Sequence, residues 1–221
     1  MAFNEAAKAN LSDQVKQYHL GCGDIFLDGF LNIDGDLKRF FSNVVDDVPL
    51  LVNGRPMAAI LQYDLRNGIP AAPDSLAVIY HSHFFEHLSD REGVAFLSDC
   101  NKCLSPGGLM RFALPNFQLW AENYLSNNTE FFNWYRSTYL GSDVSRFRTN
   151  ASVFTAMLYN WGHRNSYDFE TLTHLLEDAG FTNVQRVDWG VSDKIPAMET
   201  IEDQNPRRFE SLVIECIKRP V

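Results

Sequence analysis

The sequence has few cysteines, no excess of positive charge and no long apolar run, and each shortage excludes a class of protein. Four cysteines in 221 residues are too few and too irregularly spaced for a disulfide framework. A formal net charge of −9 argues against a surface for bulk nucleic acid, because such surfaces need clustered basic residues. No run reaches the length of a membrane helix, and the first residues lack a secretion signal. We therefore expect a soluble, cytoplasmic protein without membrane insertion.

Cys100 and Cys103 form a C-x-x-C pair, but no second pair and no His-x-x-His accompanies it. This spacing indicates one buried face of a helix rather than a structural zinc site. The sequence therefore predicts no bound metal.

Apolar runs alternate with helical patterns along most of the chain, which is typical of one domain built on a parallel sheet. The last strand is expected to be antiparallel, because a hairpin-like connection through Gly190–Arg208 precedes it. The segment 37–57 is predicted as an irregular loop or partial lid. Strands are predicted at Val15–Leu20, Phe30–Asp34, Ala58–Tyr63, Leu76–Tyr80, Leu109–Leu114, Phe181–Asp188 and Phe209–Lys218. Helices are predicted at about 2–13, 90–104 and 168–179, with Ser105-Pro106-Gly107-Gly108 as the stop of the second.

A glycine turn follows the first predicted strand, in the run YHLGCGDIFLDGFLNID from Tyr18 to Asp34. Gly21 and Gly23 remove the Cβ atoms that would hold a ligand away from the backbone. Asp34 ends the second strand, where a carboxylate can accept hydrogen bonds from both hydroxyls of a ribose. An ordinary pair of loop glycines in an α/β domain is the alternative interpretation.

Two more strand ends carry polar groups. The third strand ends at Asp64-Leu65, where a carboxylate and the next amide could read an adenine ring. After the fourth strand, the run HSHFFEHL places His81, His83, Glu86 and His87 close together.

The segment 116–165 is rich in aromatic residues, whose spacing predicts two or three helices over the carboxyl edge of the sheet. Most of these rings are interpreted as an added hydrophobic layer. A few of them are expected to line a substrate pocket, because such inserts close over a ligand.

These motifs, in their order, resemble the class I S-adenosylmethionine-dependent methyltransferases, in particular predicted methyltransferases often found with bacterial glycan biosynthesis. The resemblance implies a Rossmann-like, doubly wound α/β sheet of seven strands in the order 3-2-1-4-5-7-6, with strand 7 antiparallel. It also implies S-adenosyl-L-methionine as cofactor. The stretches that carry it are LGCGDIFLDGFLNID, the acid at Asp64, IYHSHFFEHL, LSPGGLMRFALPNF and GHRNSYDFETLTHLLEDAGF.

The same resemblance assigns cofactor contacts along the sheet edge. The glycine loop would lie beside the methionine part, Asp34 would hold the ribose, and Asp64 with Leu65 would hold the adenine. The tip of the fourth strand would line the sulfonium end. The implied cofactor residues are Leu20, Gly21, Cys22, Gly23, Asp34, Asp64, Leu65, His81 and Ser82.

Methyl transfer to a hydroxyl requires that the hydroxyl lose its proton, and a neutral histidine is a suitable base. His83 is the first candidate, because it lies just beyond the strand tip that faces the cofactor. His87 is interpreted mainly as a structural residue. His163 either contacts the acceptor from the far side or only caps the insert. Four arginines could clamp an anionic acceptor: Arg136, Arg146, Arg148 and Arg164.

The leading hypothesis is therefore an enzyme that methylates a small polar acceptor, with a sugar or glycan hydroxyl as the example. The alternative is a non-catalytic methyltransferase-like binding or partner subunit. A nicotinamide-dependent oxidoreductase would need a third glycine where Phe26 stands. The sequence is compatible with a homo-oligomer and does not name the acceptor.

Overall fold

The structure is a computed structural model, and it describes residues 5–39, 50–51, 59–141, 144–195, 198–202 and 206–220. All of its strands belong to one mixed sheet. They are β1 Gln17–Leu20, β2 Leu31–Asp34, β3 Leu50–Leu51, β4 Ala59–Gln62, β5 Leu76–Ser82, β6 Leu104–Pro115, β7 Phe181–Arg186 and β8 Ser211–Lys218.

The helices lie between the strands and at the carboxyl edge of the sheet. None of those in the described residues is long and apolar enough to cross a bilayer. They are α1 Glu5–Gln14, α2 Asp90–Cys103, α3 Phe117–Leu125, α4 Thr129–Tyr139, α5 Asn150–Tyr159, α6 Phe169–Asp178 and α7 Met198–Glu202.

The strand order across the sheet is β3-β4-β2-β1-β5-β6-β8-β7. Without β3, this is the predicted order 3-2-1-4-5-7-6, and β8 is antiparallel to both of its neighbours. The predicted Rossmann-like arrangement is therefore confirmed. The two-residue strand β3 is an addition at the edge, where it pairs antiparallel with β4. Apart from residues 37–39 and β3, the predicted loop at 37–57 lies outside the described residues.

The prediction that Ser105–Gly108 ends a helix as a turn is wrong, because these residues belong to β6. Helix α2 begins with the expected capping box, in which Ser89 and Glu92 exchange hydrogen bonds, but it ends at Cys103. Leu104 already pairs with Leu76 of β5, and a register shift after this pair absorbs the Pro-Gly-Gly run. The residues of this turn signal therefore form the irregular start of β6, because they lie beside β5 and this part of the chain pairs with it.

The core lies on both faces of the parallel strands, whose side chains are almost continuously buried. Ile33 in β2, Ile79 in β5 and Phe112 in β6 are fully covered. All four cysteines are buried thiols, and Cys100 and Cys103 face the core from α2, as the sequence indicated. These thiols therefore act as small apolar side chains.

Helices α3, α4 and α5 form a separate hydrophobic cluster around Trp120, which is fully buried. Each helix begins at a residue whose side chain accepts a hydrogen bond from a backbone amide of the first turn: Asn116, Asn128 and Thr149. Because Asn116 directly follows the end of β6, the cluster starts at the carboxyl edge of the sheet.

A buried ionic network fastens the connection before β8 to the sheet. Arg111 of β6 is fully buried, and its guanidinium lies 2.7 Å from a Glu202 carboxylate oxygen and 2.9 Å from one of Glu215. The same guanidinium donates to the backbone carbonyls of Asp188 and Val191. The network therefore holds residues 188–191 and α7 against the sheet.

Candidate active site

Three strand ends meet at one edge of the sheet. Leu20, the last residue of β1, pairs with Ile33 of β2 and with His81 of β5. The residues that follow these positions, Gly21, Asp34 and Ser82, therefore emerge side by side. This edge is where parallel α/β sheets bind their ligands.

The glycine loop is tied to the end of β2 through Asp34. The Gly23 amide donates to Asp34 Oδ2 at 3.0 Å, and the Asp36 amide donates to Oδ1 at 2.9 Å. Gly23 has a φ of +55°, and no atom lies within 4 Å of where a Cβ would stand. The space beside the Gly23 backbone is therefore open.

Gly21 serves a different contact. A Cβ at this position would lie 2.3 Å from the ring of Phe84, and its φ is +63°. The space that the missing side chain leaves is thus filled by Phe84, the residue that follows His83. Glycine is required here because an aromatic ring packs directly on the loop backbone.

Asn32 in β2 supports the loop from below. Its amide nitrogen donates to the carbonyls of Leu27, Phe30 and Ala59, and its Oδ1 accepts from the Leu27 amide at 2.8 Å. His19 Nδ1 lies 3.1 Å from the same Oδ1 and therefore carries the hydrogen. Burial lowers the pKa of His19 to about 4, so that the ring stays neutral near pH 7.

The glycine loop opens into a cavity of about 280 Å³, which we name the loop cavity. Its walls come from the loop itself, from the ends of β2 and β5, and from the segment that the Arg111 network holds. The lining residues are His19, Gly21, Cys22, Gly23, Asp24, Ile25, Asp34, Tyr80, Ser82, His83, Phe84, His87, Trp189, Ile201, Glu202 and Arg207.

An adjoining cavity of about 220 Å³ is also lined by Phe84 and reaches Asp64 and Leu65. It shares Asp34 with the loop cavity. The Asp64 carboxylate already pairs with the Arg66 guanidinium at 2.7 Å and accepts from the Arg66 amide at 3.0 Å. These contacts with Arg66 lower the pKa of Asp64, and they occupy part of its hydrogen-bonding capacity.

A third cavity, of about 390 Å³, lies between the strand ends and the helices of residues 116–165, and we name it the insert cavity. Its walls combine aromatic rings with charged and histidine side chains. It shares three residues with the loop cavity: His83, His87 and Arg207. The remaining lining residues are Pro115, Tyr135, Tyr139, Trp161, His163 and Glu210.

His83 stands at this junction in an uncommon backbone conformation, with a φ of +50°. Its Nε2 lies 2.7 Å from Ser211 Oγ, and that hydroxyl donates to the Arg207 carbonyl at 2.7 Å. Nε2 is therefore the donor toward Ser211, and Nδ1 is the nitrogen without hydrogen. Nδ1 faces Glu86 Oε1 at 3.4 Å. Burial lowers the pKa of His83 well below its ordinary value.

Glu86 is 1% exposed, although it is an acid. Within the described residues, neither of its carboxylate oxygens has a hydrogen-bond partner in another residue. Burial raises the pKa of Glu86 to about 8. His163 Nε2 approaches Oε1 to 3.9 Å, and the rings of His163 and His87 meet edge to face with centroids 4.8 Å apart. Three histidines therefore surround one buried carboxyl group.

The structure brings most of the predicted site residues to these cavities. Leu20 and His81 are exceptions, because both are fully buried behind the loop. The His81 ring stacks on Phe112 with centroids 4.8 Å apart, and burial lowers its pKa to about 3. The predicted residues that line a cavity are Gly21, Cys22, Gly23, Asp34, Asp64, Leu65, Ser82, His83 and His163.

None of the four arginines predicted as clamps lines the cavities described above. Arg136 donates to the Phe147 carbonyl, and Arg164 pairs with Glu92 at 2.9 Å. Arg207 occupies the junction instead. The sequence analysis missed Arg207 because it lies in a connection without hydrophobic periodicity, and its position just before β8 was the only available signal.

Comparison with known proteins decides the family. A family model described as a methyltransferase domain matches residues 37–186. The chain belongs to this methyltransferase family. S-adenosyl-L-methionine is therefore the expected cofactor of the methyltransferase, as the motifs implied. No curated protein matches the chain.

Solved structures agree with the methyltransferase at the level of the fold. A SAM-dependent methyltransferase from Archaeoglobus fulgidus has 14% identity and a TM-score of 0.50, over 92% of this chain and 86% of that chain. The CMeT domain of the citrinin polyketide synthase has 10% identity and a TM-score of 0.51, over 94% of this chain and 47% of that chain. At such identities, the likeness shows the architecture alone.

Proposed function

We propose that the protein transfers the methyl group of S-adenosyl-L-methionine to a hydroxyl of a small polar acceptor, of which a sugar or glycan is the best example. The observation that carries this proposal is the junction of two cavities at His83, His87 and Arg207. A cofactor in the loop cavity and an acceptor in the insert cavity would face each other there. The family match and the retained glycine loop favour the enzyme over a non-catalytic relative.

The residues of the loop cavity fit the cofactor. Gly23 leaves the backbone open to a ligand. Each Asp34 carboxylate oxygen accepts one hydrogen bond from a backbone amide and keeps a further lone pair for the cofactor. We assign the ribose to Asp34, the methionine part to Gly21, Cys22 and Gly23, and the sulfonium end to Ser82. Leu20 and His81 would support this wall from behind.

The adenine would extend along the adjoining cavity, past Phe84 toward Leu65 and Asp64. The Asp64 carboxylate already pairs with Arg66. We therefore propose that the Leu65 backbone contacts the adenine together with Asp64. The adenine assignment thus depends on a residue pair and not on one carboxylate.

When bound, S-adenosyl-L-methionine supplies a sulfonium methyl group that an acceptor oxygen can attack, and the electron pair of the carbon–sulfur bond returns to sulfur. The hydroxyl must lose its proton in the same reaction. We assign this proton to His83, because this residue lines both the loop cavity and the insert cavity, where the cofactor and the acceptor would meet. His163 would contact the acceptor from the insert side. Positioning within a site that excludes water supplies the remaining acceleration.

The insert cavity suits a molecule with both apolar faces and hydroxyl groups. Tyr135, Tyr139 and Trp161 offer rings with polar ends, and the Tyr139 hydroxyl is buried without a partner in the described residues. Arg207 adds a positive charge to the same wall, and Glu210 adds a carboxyl group whose pKa burial raises to about 8. We also propose that residues 1–221 form one domain, in which the insert at about 116–165 covers the acceptor.

The test is calorimetric titration of the full chain with S-adenosyl-L-methionine and S-adenosylhomocysteine, followed by methyl transfer to a panel of sugars and nucleotide sugars. Binding of both ligands and methylation of a hydroxyl acceptor are expected. A His83→Gln variant should bind the cofactor like the wild type and lose most turnover, whereas His174→Gln on the exposed face of α6 should retain both. Absence of cofactor binding would move the protein to the non-catalytic alternative.

A further inference from the structure

Three potential metal ligands come together beside the insert cavity: His87 and His163, which line it, and the buried Glu86. One ligand atom from each residue lies within 4.8 Å of the ligand atoms of the other two. Glu86 and His87 follow β5, and His163 comes from the segment after α5, so two distant parts of the chain converge on one point. Two imidazoles and one carboxylate form a ligand set that divalent transition metals accept.

A second, independent observation is the state of the Glu86 carboxyl group. It is almost completely buried, and neither oxygen has a hydrogen-bond partner in another described residue. Buried carboxyl groups in folded proteins are nearly always hydrogen-bonded, paired or bound to a metal. A cation between Glu86 and the histidines would provide the partner that this carboxyl group lacks.

His163 is also held in a form that suits a ligand. His163 Nδ1 donates to the Met157 carbonyl at 2.6 Å, which leaves Nε2 without hydrogen on the side of Glu86. A carbonyl that accepts from the second nitrogen is the usual support of a metal-binding histidine. His83 Nδ1, also without hydrogen, faces the same Glu86 oxygen at 3.4 Å.

We propose that Glu86, His87 and His163 bind one divalent transition-metal ion, whose open positions take the acceptor hydroxyl. The sequence predicted no metal because it lacks the close ligand spacing of zinc motifs, but the fold supplies the third ligand from a distance. His87 lines the loop cavity and the insert cavity, so the ion lies where the two meet. A bound cation lowers the pKa of a coordinated hydroxyl and helps it to release its proton.

This inference rests on the proposed function for the role of the ion, and it narrows the acceptor. An ion with three protein ligands has positions left for two neighbouring oxygens of the acceptor. The substrate class is then a molecule with adjacent hydroxyl groups, such as a sugar ring. The proton of the attacking oxygen would pass to His83, as in the proposed function, and the charge of the ion would stabilise that oxygen until the new carbon–oxygen bond forms.

The experiment uses tag-free full-length protein that has been treated with a chelator and titrated with CoCl₂, with visible absorption and calorimetry as readouts. The expected result is one saturable Co²⁺ site per chain, with a spectrum that ZnCl₂ abolishes. His87→Ala and His163→Ala should each weaken Co²⁺ binding at least about tenfold. His174→Ala is the matched control, since it removes an exposed histidine of α6 and should leave binding unchanged.

Glu86→Gln keeps the size of the side chain and serves as the third variant in the Co²⁺ titration. Thermal unfolding is recorded for each protein to identify any variant that does not fold. Absence of a saturable Co²⁺ site, or an affinity that both histidine variants leave unchanged, would overturn the inference. Cofactor titration in the presence of chelator separates this result from the proposed function. Cofactor binding without a Co²⁺ site would reject only the metal, and a Co²⁺ site without cofactor binding would reject only the methyl donor.

Discussion

Gly23 and Asp34 are joined by a hydrogen bond of 3.0 Å from the glycine amide to the carboxylate, which fastens the loop after β1 to the end of β2. The same carboxylate borders both the loop cavity and the adjoining cavity. Asp34 therefore shapes the loop and also offers lone pairs to a ligand. Both properties depend on one side chain.

Asp34→Ala should weaken binding of S-adenosyl-L-methionine by roughly 10- to 100-fold, because charged hydrogen bonds contribute about 1.5–3 kcal/mol. The measurement is calorimetric titration of wild type and variant. Asp28→Ala is the matched control, since Asp28 is an exposed acid on the same crossover. Equal affinities for the wild type and Asp34→Ala would remove the ribose assignment.

Gly21→Ala should destabilise the protein more than Gly107→Ala does, although both glycines have positive φ. At either position the left-handed backbone costs an alanine about 1–2 kcal/mol. Only at Gly21 does the new methyl group also meet a ring, that of Phe84, at 2.3 Å, whereas the space beside Gly107 is open. Overpacking should therefore lower the free energy of unfolding by a further 1–3 kcal/mol or so, as urea denaturation would measure.

Truncation of the ring provides a check on this interpretation. In a Phe84→Gly background, which also removes the Phe84 Cβ at 2.8 Å from the new methyl group, the extra loss from Gly21→Ala should disappear. Strictly additive losses in the double variant would mean that the glycine is needed for another reason.

Arg111→Met should lower the free energy of unfolding by about 3–5 kcal/mol, because it leaves two buried carboxylates without their partner. The wall of the loop cavity should also be disturbed. The Trp189 indole lines that cavity, and it donates to the backbone carbonyl of Glu202 in the same network. Guanidinium denaturation measures the first effect. Arg219→Met, at an exposed position after β8, should change stability little, and a similar small change at Arg111 would contradict the network's role.

His19 should make the protein less stable as the pH falls from 6.5 to about 4. Burial lowers its pKa in the folded state to about 4, whereas the unfolded chain takes up the proton near the ordinary value of 6.5. The unfolded state therefore binds the proton first, and about 1.4 kcal/mol of stability is lost per pH unit in this window. Asn32 and Tyr80 face the ring from β2 and β5, and neither is charged near neutral pH.

The check compares the free energy of unfolding of wild type and His19→Asn between pH 7 and pH 4.5. The asparagine keeps a donor toward Asn32 but cannot take up a proton in this range. Other buried histidines titrate in both proteins, so the difference between the two curves isolates His19. Parallel curves would show that His19 does not contribute to the pH dependence.

The sequence alone determined the elements that depend on local pattern. Buried runs mark the strands and the Ser89–Glu92 box marks the start of α2, because each of these signals lies within a few neighbouring residues. The predicted strand order came from the resemblance to the class I methyltransferases, since right-handed crossovers restrict the possible orders of a parallel sheet without selecting one.

Only the tertiary structure decided which side chains face the cavities. Arg207 reaches the junction from a connection without periodicity, and His163 reaches Glu86 from 77 positions along the chain, whereas His81, within a promising motif, turns into the core. No local pattern carries this information, since the orientation of a side chain depends on what packs behind it. The proposed metal site is the clearest case, because its ligands become neighbours only after the helices of residues 116–165 have folded over the sheet edge.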